Sequence, residues 1–134
     1  MNQTKFESGG TLVFSENLGG HTIRNHVSRT DAQLLERLST DLNIQGSSTF
    51  TDLSTAERAI GEVLTRNRAE IQDFFGNSSG NRLPLSETLD FDVGRGFNRE
   101  SINPQISNSL QVILDRDELS INGFRIHTAY PRLQ

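Results

Sequence analysis

The chain has 134 residues, a formal net charge of −4 at pH 7 and no cysteine. That length suits one domain that buries its own core. The missing Cys excludes a disulfide framework, a thiolate nucleophile and a Cys-ligated zinc site. No apolar run approaches the roughly 18 residues of a membrane span, and the start lacks the basic and apolar pattern of a signal peptide.

Residues 1–11 are polar and contain Gly, which reads as a linker from a longer protein, with residues 12–134 as a single domain. The negative charge argues against a protein that merely tracks phosphates, since those are usually basic. The kind of base matters more than the sum. Of thirteen basic residues only Lys5 is a lysine; the rest are Arg. A planar guanidinium grips phosphate through paired hydrogen bonds, where Lys offers a point charge. Ordinary surface usage accounts for most of them.

The first half reads helical and the second half reads as strands, a segregation that predicts an α+β domain. A short helix is expected near Leu18 to Val27. Thr30 followed by Gln33 forms a capping box for a helix carrying Leu34, Leu35 and Leu38 on one stripe, ending between Asp41 and Gly46. A further helix is expected from Ser54, with Glu57 in the capping-box position and Ala56, Ile60, Val63 and Leu64 on its apolar face. It continues, or breaks and restarts, through Ile71 and Phe74-Phe75. Gly76 to Asn81 is a loop by composition. Leu85 to Val93 reads as a strand, with Gly94-Arg95-Gly96-Phe97 as a turn or bulge beside it. Asn103-Pro104 breaks the chain. Ser109 to Arg116 is a strand with Leu110, Val112 and Leu114 on one face and Ile113 on the other. Asp117 to Gly123 is a hairpin connection. Phe124 to Tyr130 is the closing strand, ended by Pro131.

Only three His are present, His21, His26 and His127. His both gives and takes a proton near neutral pH, so acid–base work would fall to one of them. His21 and His26, five apart, sit roughly 140° apart on a helix and do not share a face. That is a poor metal pair, and no third ligand has zinc-site spacing. In the closing strand, alternation places Phe124, Ile126, Thr128 and Tyr130 on one face and Arg125, His127 and Ala129 on the other. Thr128 and the chain's only Tyr thus share a face. An ordinary amphipathic edge strand fits the same pattern. Arg37 borders the Leu34–Leu38 stripe, where it either reaches into a cleft or snorkels.

Several blocks, in order, resemble a known family. They are Gly19-Gly20-His21-Thr22-Ile23, His26-Val27, Thr30-Asp31-Ala32-Gln33-Leu34, Arg37-Leu38, Ser48-Thr49-Phe50, Ala56-Glu57 with Ile60, and Thr128-Ala129-Tyr130-Pro131. The chain from about Leu12 to Pro131 is similar to the C-terminal toxin domains of bacterial contact-dependent growth-inhibition proteins with a pancreatic-ribonuclease-like fold. The resemblance implies a kidney-shaped α+β domain, with N-terminal helices packed on a bent antiparallel sheet and no disulfides. It implies site residues His26, Arg37, Thr128 and Tyr130, with His21 an alternative to His26 in the same block. His127 joins them if a β-bulge turns it into the cleft.

Such a site implies a metal-independent endoribonuclease without a cofactor. A base takes the 2′-hydroxyl proton, an acid protonates the 5′-oxygen, and a donor steadies the phosphorane. His26 would do acid–base work and Arg37 would clamp phosphate. Thr128 would hold a phosphate oxygen or the His, and Tyr130 would donate to phosphate or transfer the second proton. The products would be a 2′,3′-cyclic phosphate and a 5′-hydroxyl. The expected partners are an RNA substrate, transfer RNA among the candidates, and a cognate immunity protein, with no DNA and no stable membrane insertion. Outside the immunity complex a monomer is expected. The resemblance further implies delivery from a cell surface as part of a larger toxin, and action in the target-cell cytoplasm. The competing readings are a non-enzymatic RNA- or protein-binding module and another toxin enzyme such as an ADP-ribosyltransferase.

Overall fold

In the computed structural model, residues 22–100, 103–120 and 122–133 are described. The expected linker over residues 1–11 and His21 lie outside them. The described chain runs α1 (Thr22–His26), α2 (Asp31–Thr40), β1 (Gly46–Phe50), α3 (Leu53–Arg66), α4 (Arg68–Asn77), β2 (Arg82–Thr88), β3 (Gly94–Asn98), β4 (Gln105–Ser107), β5 (Ser109–Arg116) and β6 (Phe124–Pro131). This is the α+β class that the sequence predicts. No described helix is long and apolar enough to cross a membrane.

The capping box forms as read. Thr30 accepts from the Gln33 amide at 3.1 Å while the Gln33 side chain accepts from the Thr30 amide at 2.8 Å. Two free donors at the helix start are thereby satisfied. The next cap differs from the reading: Asp52 rather than Ser54 starts α3, accepting from the Thr55 amide at 2.7 Å. An ionised carboxylate at that position is the stronger acceptor and complements the helix dipole. Its hydrogen bonds to Thr55 hold the Asp52 carboxyl below its ordinary pKa. The helix breaks at Asn67, whose side chain donates to the Val63 carbonyl at 2.8 Å and to Glu87 at 3.0 Å, and α4 begins one residue later.

The strands form two three-stranded antiparallel sheets, in the orders β1-β3-β4 and β2-β5-β6. Three strand expectations need correction. The strand expected over Leu85 to Val93 occupies Arg82–Thr88, and Leu89 and Val93 are buried in the loop after it. Gly94-Arg95-Gly96 is no turn: it is paired strand, opposite Phe50, Thr49 and Ser48. A Cβ on Gly94 would stand 2.0 Å from the Thr49 carbonyl oxygen and 2.9 Å from Pro131 Cγ, so only Gly lets these backbones approach so closely. The third correction is β1, a strand in the half that reads as helical.

The main core joins α3 to the inner faces of β2, β5 and β6. Ile60, Val63, Leu64, Leu110, Val112, Leu114 and Ile126 are fully buried there. Each such side chain stabilises the fold by about 1.5–3 kcal/mol. A smaller cluster of Leu34, Leu38 and Phe97 seats α2 on the other sheet. At the end of β6 the two sheets meet. Ser48 donates to the Pro131 carbonyl at 2.8 Å, and the Ser107 hydroxyl donates to the Arg132 carbonyl.

Candidate active site

His26 ends the short α1, which packs against β6 and β1. The chain turns at once after it: Ser28 has φ 55°, a left-handed conformation that costs a non-glycine residue roughly 1–2 kcal/mol. The β1 strand holds that turn. Ser28 N–H donates to the Phe50 carbonyl at 3.1 Å, and Val27 bridges Phe50 in parallel. The buried Thr49 hydroxyl accepts from the Arg29 amide at 2.9 Å and lies 3.4 Å from the His26 carbonyl. The backbone of His26 is therefore fixed by tertiary bonds, not by a long helix.

The His26 side chain is buried, and its ring lies 5.5 Å from that of Tyr130, tilted by 45°. The Tyr130 hydroxyl donates to Gln111 Oε1 at 3.1 Å. A β-bulge between them and the start of β6 decides what else faces this cleft. Ile113 pairs with Thr128 and Leu114 with Ile126, so His127 is the extra residue. Before the bulge Phe124 and Ile126 point into the core; after it Ala129 and Pro131 do. Plain alternation, which put His127 opposite Thr128 and Tyr130, is therefore wrong. One inserted residue flips the phase, and His127, Thr128 and Tyr130 share the face away from the core.

On that face Asp115 gathers cations. Arg82 grips it with Nε at 2.7 Å and Nη2 at 3.3 Å, and this carboxylate raises the Arg82 pKa. Arg125 Nη2 is 3.8 Å away, and His127 Nδ1 lies 3.0 Å from Asp115 Oδ2. Holding Nδ1 at the carboxylate leaves the opposite ring nitrogen, Nε2, directed away from it. Thr128 Oγ1 is buried without a hydrogen-bond partner among the described residues, unusual for a hydroxyl.

Arg37 is exposed on α2, at the edge of the Leu34–Leu38 stripe. It lines a pocket of about 150 Å³ with Asn25, Arg29, Gln33 and Ser47. Asn25 adjoins His26, so this guanidinium-lined pocket begins one residue from the buried His. On the other side, Tyr130 lines a larger cavity. The structure thus joins His26 to Tyr130 directly, adds His127 and Thr128 on the Tyr130 face, and sets Arg37 in the neighbouring pocket. No group of three or more His, Cys, Asp or Glu among the described residues is placed to hold a metal ion.

Sequence reasoning missed Asp115, Gln111 and Arg29. The first two were within reach, since they flank Ile113 on the face that the β5 alternation assigned away from the core. Arg29 gave no signal beyond standing before a helix cap. Many other Arg are structural. Arg99 donates to the carbonyls of Leu38, Asp41 and Ile44 at 2.7–3.0 Å. Arg116 does the same for Phe75, Ser78 and Gly80.

The fold is α+β, two three-stranded antiparallel sheets each packed by a helix. The profile of the bacterial CdiA-CT RNAse A domain matches residues 20–131, and the chain belongs to that family. It is an endoribonuclease domain of the toxin type. A search of curated proteins gives no match. Among solved structures, the chain is similar to one described as the crystal structure of a CdiA-CT/CdiI complex from Y. kristensenii. The two are 32% identical with a TM-score of 0.79, over 85% of this chain and 100% of that one.

Proposed function

We propose that the domain cleaves RNA without a metal, by attack of the ribose 2′-hydroxyl on the adjacent phosphorus. The O2′–P bond forms as the P–O5′ bond breaks, leaving a 2′,3′-cyclic phosphate and a 5′-hydroxyl. His26 takes the 2′-hydroxyl proton. The leaving oxygen receives its proton from the Tyr130 side of the cleft, where His127, oriented by Asp115, is placed to give it. Arg37, with Arg29 beside it, neutralises the phosphorane, and Thr128 gives its hydroxyl hydrogen to a phosphate oxygen. DNA has no 2′-hydroxyl and is not cut.

The observation that carries this reading is the bulge at His127. It gathers His127, Thr128 and Tyr130 on the face where Tyr130 meets His26, although these residues lie at opposite ends of the described chain. The similar structure is a complex, by its description, of a CdiA-CT with CdiI. In keeping with that, the domain is neutralised by a cognate immunity protein and acts in the target-cell cytoplasm after delivery as part of a larger surface toxin.

The test is digestion of total bacterial RNA and purified transfer RNA in excess EDTA. Fragments with 2′,3′-cyclic phosphate ends are expected, slowed at least about 100-fold by His26→Ala, the low end for losing a general acid–base group. Cleavage that needs added magnesium, or that survives in His26→Ala, would overturn the mechanism.

A further inference from the structure

We propose that Ser47 is a ligand of the scissile phosphate, a hydroxyl donor at the floor of the pocket that holds Arg37. The proposal rests on the ribonuclease reading above and adds a residue to it. Ser47 is the second residue of β1, only 1% exposed, and its Oγ has no hydrogen-bond partner among the described residues. A buried hydroxyl without a partner is rare and destabilising, so something other than folding selects it. The two hydroxyls that follow in the strand are both engaged. Ser48 donates to the Pro131 carbonyl at 2.8 Å, and Thr49 accepts from the Arg29 amide at 2.9 Å.

Alternation along β1 puts Ser47 on the same face as Thr49, about 7 Å before it, toward the turn that follows His26. There it lines the pocket of about 150 Å³ with Arg29, Gln33 and Arg37. Small-molecule sites begin at about 300 Å³, so this volume suits a phosphate group rather than a nucleotide. The lining supplies donors. Two residues bring guanidinium groups, and the Gln33 carboxamide spends its oxygen on the Thr30 amide at 2.8 Å, which leaves its NH2 group. No carboxylate lines the pocket, and Asp31 at the start of α2 is held by Arg95 Nε at 2.8 Å. Donors without a competing acceptor make a seat for an anion. The Ser47 Oγ is closed off from solvent, whereas Arg37 and Gln33 are exposed. A phosphate gripped by those two side chains moves them off the hydroxyl and takes its hydrogen. Pairing with Phe97 in β3 already fixes the Ser47 backbone, so the donor is positioned before the phosphate arrives.

The experiment measures kcat/KM on one RNA oligonucleotide in EDTA for the wild type, Ser47→Ala and Ser47→Cys. The Cys variant nearly keeps the volume but offers only a weak donor. Both should lose about tenfold or more, as expected for one hydrogen bond to a charged oxygen. Thermal unfolding separates this loss from packing. Ser47→Ala removes an unpartnered hydroxyl, so its melting temperature should equal or exceed that of the wild type. Inorganic phosphate should raise the melting temperature of the wild type, raise it less in Ser47→Ala, and leave it unchanged in Arg37→Ala. Ser47→Ala activity within about twofold of wild type, full activity in Ser47→Cys, or a loss matched by a lower melting temperature would overturn the assignment and leave the ribonuclease intact. A wild type that cleaves no RNA, yet is stabilised by phosphate through Ser47, would keep the anion site and remove the reading beneath it.

Discussion

Replacing Thr49 by Val tests whether tertiary bonds, rather than helix α1, hold His26 in place. The side chain is fully buried, and Val keeps its shape, so no cavity opens. What disappears is the hydroxyl that accepts from the Arg29 amide at 2.9 Å and donates to the Phe50 carbonyl at 2.9 Å. Leaving the half-buried Arg29 N–H without this acceptor costs up to about 1–3 kcal/mol, the range for a buried donor. The left-handed Ser28 next to it also loses part of its support. About 2 kcal/mol is therefore expected, seen as a fall in the urea midpoint at unchanged slope and a melting temperature lower by about 8 °C. Thr49→Ser retains the hydroxyl and should stay within about 1 kcal/mol of wild type. Ribonuclease turnover, measured well below melting, should fall in Thr49→Val and recover in Thr49→Ser. A Val variant within about 0.5 kcal/mol of wild type, with full turnover, would refute the view that this hydroxyl anchors the His26 backbone.

Gly94→Ala forces a Cβ to 2.0 Å from the Thr49 carbonyl, and neither strand can yield without breaking pairing. A loss of about 3 kcal/mol or more in urea titration is expected. Arg99→Lys replaces a planar fork that reaches three carbonyls by a single ammonium, and should lower stability by about 2 kcal/mol in the same assay. Asp52 gives a pH signature. Its carboxyl pKa is lowered in the fold by the Thr55 hydrogen bonds, so its stabilising effect is present above the unfolded value of about 3.9 and fades as pH falls through the folded value. The stability gap between wild type and Asp52→Ala, from denaturation at several pH values, should be constant near neutrality and shrink below about pH 4.

The elements legible in the sequence are those whose burial follows a period. Leu34 and Leu38 behind Thr30, the Ile60–Val63–Leu64 face, and the alternation of Leu110, Val112 and Leu114 all stand where the pattern puts them. The unread strand β1 is Gly-Ser-Ser-Thr-Phe, buried although mostly polar, because its hydroxyls find partners far away in sequence: Ser48 at Pro131, Thr49 at Arg29. No local pattern encodes those partners. The strand Gly94–Asn98 reads as a turn or bulge because its glycines, usually strand breakers, serve close backbone contact. The site followed the same division. Thr128 and Tyr130 lie on one face by spacing alone, but the step that adds His127 and its partner Asp115 is a single unpaired residue, which alternation cannot anticipate.

The contact between His26 and Tyr130 joins positions about a hundred residues apart, close to the greatest separation the described chain allows. Nothing resembling the site can exist in a fragment, a partly threaded chain or a compact intermediate without docked β6. A chain that is unfolded is inert, and the site returns only with the last strand. Such a molecule needs no separate safety catch before it folds: its chain topology is the catch.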